Sequence, residues 1–155
     1  MSLTRTLCCI AIVCLAASWP APAAAQPQSG PEADAITAVI QASYFHGAFN
    51  ELNPEAMRAG FHPDFAIFSA NGEAMAKYPI ATWAEAVAKR KAAPDFDPAK
   101  NVWDCRIVSL DVTGGAAAAK VELSRDGKLV YTDYLSLLKY ANGWKISAKV
   151  YHQHK

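Results

Sequence analysis

The sequence predicts an α+β domain in which N-terminal helices pack on a strongly bent, mostly antiparallel sheet. Helix signals fill the first half of the chain, and a long run of strand signals fills the second half. This order is typical of helices layered on one sheet. The strongest strand signal is Asn142-Gly143 between two apolar runs, because both residues tolerate the positive φ of a tight hairpin turn.

Residues 1–25 have the composition of a secretory signal peptide. Arg5 supplies a positive start, Leu7–Ala17 is an apolar run of 11 residues, and Ala23–Ala25 offers a small-residue cleavage site. The apolar run is well short of the ~20 residues that a membrane-spanning helix needs. We therefore expect a periplasmic or secreted protein that has no membrane attachment after cleavage.

After cleavage, the chain would consist of a short tether over 26–30 and one domain over 31–155. It would carry 14 basic and 14 acidic residues, with no basic run, so nucleic acid is not expected as a partner. Cys105 would be the one remaining cysteine, which excludes an internal disulfide. A buried, unreactive thiol is the simpler expectation, since a reactive one needs exposure and a nearby base.

Three helices are predicted ahead of the main run of strands. They span Pro31–Phe49, Asn53–Gly60 and Trp83–Ala92. The first has apolar residues at helical spacing, and the second starts with Asn53 as N-cap and Pro54 in the first turn. The third is predicted from a capping box formed by Thr82 and Glu85.

Apolar alternation and turn residues predict six strands. They span Phe65–Ser69, Glu73–Tyr78, Val102–Val112, Ala116–Ser124, Leu129–Tyr140 and Trp144–Tyr151. In the first long strand the apolar residues change face between Ile107 and Val108. Either a β-bulge bends the sheet there, or the strand is central and apolar on both faces.

The hairpin loops decide which residues become neighbours. A three-residue loop ending at Gly127 would pair Val121 with Tyr131. A two-residue Asn142-Gly143 loop would pair Asp133 with His152 and leave Tyr134 and Tyr151 as an aromatic pair on the other face.

The rival register has a three-residue loop that begins at Ala141. It would place Asp133 near Tyr151 and Lys149 instead. In the preferred register, Asp133 could orient His152 and adjust its pKa so that the imidazole acts as a general base. Alternatively, the two residues could form only an ion pair at the sheet margin.

Several segments carry a resemblance to a known superfamily. They are Tyr44-Phe45-His46-Gly47, Phe61-His62-Pro63, Thr132-Asp133-Tyr134-Leu135, Gly143-Trp144-Lys145-Ile146 and Lys149-Val150-Tyr151-His152. With the order of helices and strands, they make the chain resemble the nuclear transport factor 2-like (NTF2-like) superfamily over about Ala35–His152. The chain looks closest to the bacterial branch named "putative lumazine-binding".

This resemblance implies a cystatin-like cone with a pocket between the inner sheet face and the helices, and a homodimer formed through the outer sheet face. An Asp and a Lys that recur in the family fall on Asp133 and Lys149. The preferred register puts these two on opposite faces, and only the rival register would pair them.

Three functions are compatible with this reading. The first is binding of a small apolar or aromatic ligand, with Asp133 and His152 as the polar groups of an apolar pocket. The expected lining is Tyr44, Phe49, Phe65, Trp83, Trp103, Tyr131, Leu135 and Trp144.

The second is a lyase or isomerase of dehydratase type, with Asp133 or His152 as base and Tyr44 or Tyr131 as donor. The third is a non-catalytic dimeric interaction domain. No cofactor is expected, and no metal site either, because His152 and His154 share a face without an evident third ligand.

Overall fold

The computed structural model describes residues 28–155, so the predicted signal peptide and the start of the tether lie outside the described residues. Three helices pack on a curved, unclosed sheet of six strands. Among the described residues, no helix has the length and apolar character needed to cross a bilayer. The predicted α+β class is confirmed.

The helices lie close to their predicted positions. They are α1 (Pro31–Val39), which continues without a break as a π-helical stretch (Ile40–Asn50), α2 (Pro54–Gly60) and α3 (Ile80–Lys91). Asn53 caps α2 as predicted, because its Oδ1 accepts from the amides of Glu55 and Ala56 at 3.1 and 3.2 Å.

The capping box before α3 was a wrong prediction. The helix begins at Ile80, directly after Pro79, and no side chain caps it. Proline has no amide hydrogen for strand pairing, so the preceding strand ends there and the chain enters the helix two residues before Thr82.

Four of the six strands are longer than the sequence pattern indicated, while the second has the predicted length and the third is shorter. They are β1 (Phe61–Asn71), β2 (Ala74–Pro79), β3 (Asp104–Thr113), β4 (Ala116–Arg125), β5 (Lys128–Tyr140) and β6 (Gly143–Gln153). Their order in the sheet is β2-β1-β6-β5-β4-β3, and the described pairs are antiparallel except β1 with β6. This parallel pair brings β1, which follows the first helices, beside β6, the last of the six strands in chain order.

Three extra residues bend the antiparallel part of the sheet. Val108 bulges out of β3, so of the two alternatives for the face switch at Ile107 the β-bulge is the one that the structure has. Val130 is the extra residue in β5 opposite β4, and Ser147 is the extra residue in β6 opposite β5. Bulges increase local bend and twist, so these three help to curl the sheet around the helices.

The loop between β4 and β5 differs from the three-residue prediction. It contains two residues, Asp126 and Gly127, and both have positive φ, as a type I′ turn requires. With the bulge at Val130, Val121 pairs with Asp133 rather than with Tyr131. The shift is two residues, so the predicted inner face keeps its identity.

The predicted register of the last hairpin was wrong. The loop is Ala141-Asn142, and Gly143 alone takes the positive φ, at 104°. The bulge at Ser147 then shifts the pairing by one residue. Asp133 consequently pairs with Tyr151, as in the rival register.

The bulge also changes which residues face outward. Tyr134 pairs with Val150, so the expected cross-strand pair of Tyr134 and Tyr151 does not form. Tyr134 and Val150 are about half exposed, on the face of the sheet away from the helices. A one-residue shift in register moves each side chain to the other face of the sheet, so Val150 takes the outward position that was predicted for Tyr151.

The core lies between the helices and the concave face of the sheet. Its largest fully buried apolar side chains include Tyr44, Phe45, Phe61, Phe65, Leu123 and Leu135. Each such side chain stabilises the fold by about 1.5–3 kcal/mol through burial. The end of α2 packs closely against the π-helical stretch, because Gly60 has no side chain. A Cβ atom at this position would clash with the side chain of Ser43. This contact fixes the segment that carries Tyr44.

Candidate functional site

Three polar side chains meet inside the apolar core. Lys149 Nζ donates to Tyr44 Oη at 2.8 Å and to Asp133 Oδ2 at 3.1 Å. The Tyr44 hydroxyl donates to the same Asp133 oxygen. Asp133 is 0% exposed and Lys149 is 5% exposed, so the ion pair is shielded from bulk water. We call Tyr44, Asp133 and Lys149 the buried triad.

Each member of the triad comes from a different element. Tyr44 lies on the π-helical stretch, a geometry found often at functional sites. Asp133 pairs with Tyr151 across the β5–β6 ladder, and Lys149 pairs with Leu135. The two charged residues are therefore diagonal neighbours on one face, within reach of a long side chain.

Burial dominates the electrostatics of the triad. Loss of solvation lowers the pKa of Lys149, while the charge and hydrogen bond of Asp133 act in the opposite direction. Burial, followed by the negative charge of Asp133, raises the pKa of Tyr44 well above its ordinary value. Tyr44 therefore keeps its proton and remains a donor at neutral pH.

The Asp133 carboxylate retains unused acceptor capacity. Its Oδ1 atom is buried and has no hydrogen-bond partner within residues 28–155. Such unpaired buried acceptors are uncommon in folded proteins and call for an explanation. The free oxygen leaves the triad one acceptor position for a further hydrogen-bond donor.

Aromatic rings surround the ammonium group of Lys149. The ring centroids of Tyr44, Phe49, Trp83 and Tyr151 lie 5.1–5.8 Å from Nζ. Cations are attracted to ring faces at this range, and the attraction grows when water is excluded. The rings therefore offset part of the cost of burying the charge.

A cavity of about 400 Å³ reaches the triad at Lys149. It is lined by Phe49, Ile67, Ser69, Ala76, Lys77, Tyr78, Trp83, Tyr131, Lys149 and Tyr151. A second depression of about 420 Å³ lies between the β1–β2 turn and β6, but it is more open and includes no buried ionisable group. The cavity above Lys149 is therefore the better candidate site.

The predicted lining residues fall into two groups. Phe49, Trp83 and Tyr131 line the cavity, and Tyr44 lies behind Lys149 in the triad. The other four lie elsewhere. Phe65 and Leu135 lie in the core, and Trp103 stacks on Tyr131. Trp144 donates a hydrogen bond from Nε1 to Glu32 Oε2 at 2.7 Å.

His152 does not meet Asp133, so the predicted acid–imidazole dyad is wrong. His152 pairs with Thr132 in the β5–β6 ladder and is exposed to solvent. Its ring contacts that of His154, with centroids 4.8 Å apart. Within residues 28–155, no three His, Cys, Asp or Glu side chains cluster in a way that could hold a metal ion.

The preferred sequence register missed Lys149 and Tyr151 as site residues, and no strand pattern indicated Lys77. The apolar alternation of β6 placed Lys149 on the outer face, because the bulge at Ser147 has no clear sequence signal. The rival register placed Lys149 and Tyr151 near Asp133, and the family resemblance also singled out Lys149 together with Asp133. Cys105 contributes no nucleophile, since burial, then the charges of Asp104 and Asp133, raise its pKa to about 12.

Helices on a bent six-stranded sheet, with a cavity between the two layers, define the class of NTF2-like α+β proteins. Within this class, the chain belongs to the family described as "Putative lumazine-binding", whose model matches residues 31–152. A search of curated proteins found no significant match.

Solved structures of the same class are similar to the chain. An NTF2-like protein of unknown function from Shewanella baltica OS155 is 25% identical, with a TM-score of 0.63 over 79% of this chain and 93% of that one. An NTF2-like protein of unknown function from Methylobacillus flagellatus KT is 28% identical, with a TM-score of 0.62 over 84% and 98% of the two chains.

A domain of unknown function with a cystatin-like fold from Nostoc punctiforme PCC 73102 is 15% identical, with a TM-score of 0.58 over 83% of this chain and 80% of that one. At that identity the similarity concerns the fold alone. These structures support the architecture, and the function has to be argued from the site.

Proposed function

We propose that the protein is an exported small-molecule-binding domain that holds a planar aromatic or apolar ligand in the cavity above Lys149. One observation carries the proposal: an aromatic cavity of about 400 Å³ ends on a buried, ion-paired lysine. Small-molecule sites are typically apolar clefts of this size with a few polar groups that fix orientation.

The lining explains how a flat ligand would be held. Phe49, Trp83 and Tyr131 offer ring faces and edges, and aromatic pairs contribute about 0.5–1.5 kcal/mol beyond burial. Lys149 has three N–H donors and uses two of them within the triad. The third donor can bind a carbonyl or anionic oxygen of the ligand.

The catalytic alternative has less support in the site than binding has. A lyase or isomerase was expected to use Asp133 or His152 as its base, and the two residues do not meet to tune one another. Asp133 is instead held by Lys149 and Tyr44. Binding therefore explains the cavity with fewer assumptions.

Native mass spectrometry of protein purified from its own cells tests the proposal first, through the mass of any retained ligand. Titration with lumazine, the compound in the family's name, tests it second. We expect saturable quenching of tryptophan fluorescence that is lost in Trp83→Phe and kept in Trp144→Phe, because Trp83 is the one tryptophan within residues 28–155 that lines the cavity. No retained ligand, together with no saturable probe among lumazine and simple naphthalene compounds, would refute binding.

Two further parts of the proposal concern the protein in its compartment. Export predicts a mature chain that begins at Gln26 in the periplasm or medium, which N-terminal sequencing can check. A homodimer would use the outer sheet face, where Tyr134, Leu138 and Val150 are exposed. Light scattering would then show a dimer that Tyr134→Glu dissociates, and a monomeric wild type would refute it.

A further inference from the structure

We propose that Lys149 is a carbonyl-reactive amine, which forms an imine with an aromatic aldehyde or ketone held in the cavity. This inference rests on the proposed function, because it requires the cavity to bind the aromatic part of the molecule. It adds a covalent step and a ligand class that simple binding does not require.

The position of Lys149 suits a nucleophilic amine. Its side chain is 6% exposed, yet the residue lines the cavity, so a bound molecule can meet Nζ where water is scarce. Desolvation lowers its pKa, which increases the fraction of neutral amine at a given pH. Desolvated lysines in apolar pockets are the usual Schiff-base formers.

Asp133 supplies the place for the displaced proton. The ammonium lies 3.1 Å from Oδ2, and Oδ1 has no partner within residues 28–155. Transfer of one proton from Lys149 to Asp133 converts a buried ion pair into two neutral groups. Such neutralisation avoids the cost of two charges in an apolar medium.

The reaction then balances without an oxidant or reductant. The Nζ lone pair attacks the carbonyl carbon, and the carbonyl oxygen takes a proton from the Asp133 carboxyl to give a carbinolamine. The nitrogen, which is still a protonated secondary amine, loses one proton to Asp133. The carbinolamine hydroxyl takes this proton from Asp133 and leaves as water, and the carbon–nitrogen double bond that forms is a protonated imine beside the Asp133 carboxylate. Tyr44 hydrogen-bonds both groups and so positions the amine and the acid.

The same cavity offers an internal comparison. Lys77 also lines it, but this side chain is exposed on β2 and is not part of the triad. Proximity to a bound aldehyde alone would label both lysines. Desolvation lowers the pKa of Lys149, so more of its amine is neutral and nucleophilic at a given pH.

The experiment incubates the whole protein with naphthaldehyde and sodium cyanoborohydride near neutral pH. Intact mass spectrometry counts the adducts, and peptide mapping locates them. We expect one adduct that forms on Lys149 at least about tenfold faster than on any other lysine. Lys149→Arg should lose this fast adduct, and Lys77→Arg should keep it.

Naphthalenemethanol, which has the same ring and no carbonyl, separates the two proposals. It should bind and slow the labelling of Lys149 without slowing that of surface lysines. If it binds but Lys149 reacts no faster than Lys77, the imine proposal fails and ligand binding stands. If neither compound binds, the imine proposal fails, and ligand binding is decided by native mass spectrometry and the lumazine titration. Mapping in the wild type gives the answer even if Lys149→Arg does not fold.

Discussion

Lys149 Nζ lies 3.1 Å from Asp133 Oδ2, although the two residues are not cross-strand partners. They meet on the diagonal of the β5–β6 ladder, on the concave face of the sheet, where both are buried. This contact puts an ion pair in a layer that is otherwise built from apolar side chains. The stability of the domain therefore depends on keeping both charges together.

Removal of one charge should be costly. We expect Lys149→Met to lower the free energy of unfolding by about 3–5 kcal/mol, because it leaves the Asp133 carboxylate buried and unpaired. The double variant Asp133→Leu/Lys149→Met should cost clearly less than the sum of the two single changes. Urea unfolding of the three variants measures this coupling.

Lys139→Met is the matched control for that cycle. Lys139 also forms an ion pair, with Glu32 at 2.6 Å, but both side chains are nearly half exposed. Surface pairs contribute about 0–1 kcal/mol, so this change should be small. Strictly additive costs for Asp133 and Lys149 would show that the two residues do not act as a pair.

The Tyr44 hydroxyl should contribute to stability through the triad. Tyr44→Phe removes a donor to Asp133 and an acceptor for Lys149, and we expect a loss of about 1–3 kcal/mol. Tyr134→Phe removes an exposed hydroxyl from the outer face and should be nearly neutral. Thermal and urea unfolding compare the two, and equal effects would contradict a special role for Tyr44.

Stability should fall in acid because of Glu32. Hydrogen bonds from Lys139 and then from Trp144 lower the pKa of Glu32 below its ordinary value of 4.5. A carboxyl group whose pKa is lowered by folding contributes its full stabilisation at pH values above the unfolded-state pKa. This contribution is lost as the pH falls through the folded-state pKa. Melting temperatures of wild type and Glu32→Gln should therefore converge below pH 4.5, and a constant gap would argue against the prediction.

The Cys105 thiol should resist alkylation in the folded protein. Its pKa of about 12 leaves almost no thiolate at pH 8, and only the thiolate is nucleophilic. We expect iodoacetamide to react slowly with native protein and rapidly in urea, as followed by intact mass. Equal rates in the two conditions would show that the thiol is neither shielded nor raised in pKa.

Periodicity and turn chemistry in the sequence were sufficient to predict the layer architecture. Asn53 and Pro54 fixed the start of α2, and the face switch after Ile107 gave the bulge at Val108 as one of two alternatives. These features depend on neighbouring residues alone, so local patterns reveal them. The NTF2-like resemblance added the cone and drew attention to Asp133 and Lys149.

The geometry of the site depends on structural features that neighbouring residues in the sequence do not reveal. Asn142-Gly143 resembles a type I′ turn, yet Asn142 does not take positive φ and the loop sits one residue earlier. No residue pattern around Ser147 predicts a β-bulge. The bulge nevertheless decides which face of the sheet Lys149 occupies, two residues later. The cavity also needs α3 to bring Trp83 over the sheet, which only the tertiary packing decides.

The single inserted residue at Ser147 sets the chemical character of the interior. If Ser147 followed the regular β6 alternation instead of bulging, Val150 would face the helices and Lys149 would face solvent, which would leave Asp133 as a lone acid among hydrocarbon side chains. Deletion of the bulged residue, in contrast, would keep Lys149 on the concave face, because Ala148 would then follow Ile146 in an unbroken ladder. The bulged conformation of a single residue therefore decides whether the interior of the domain contains a cation.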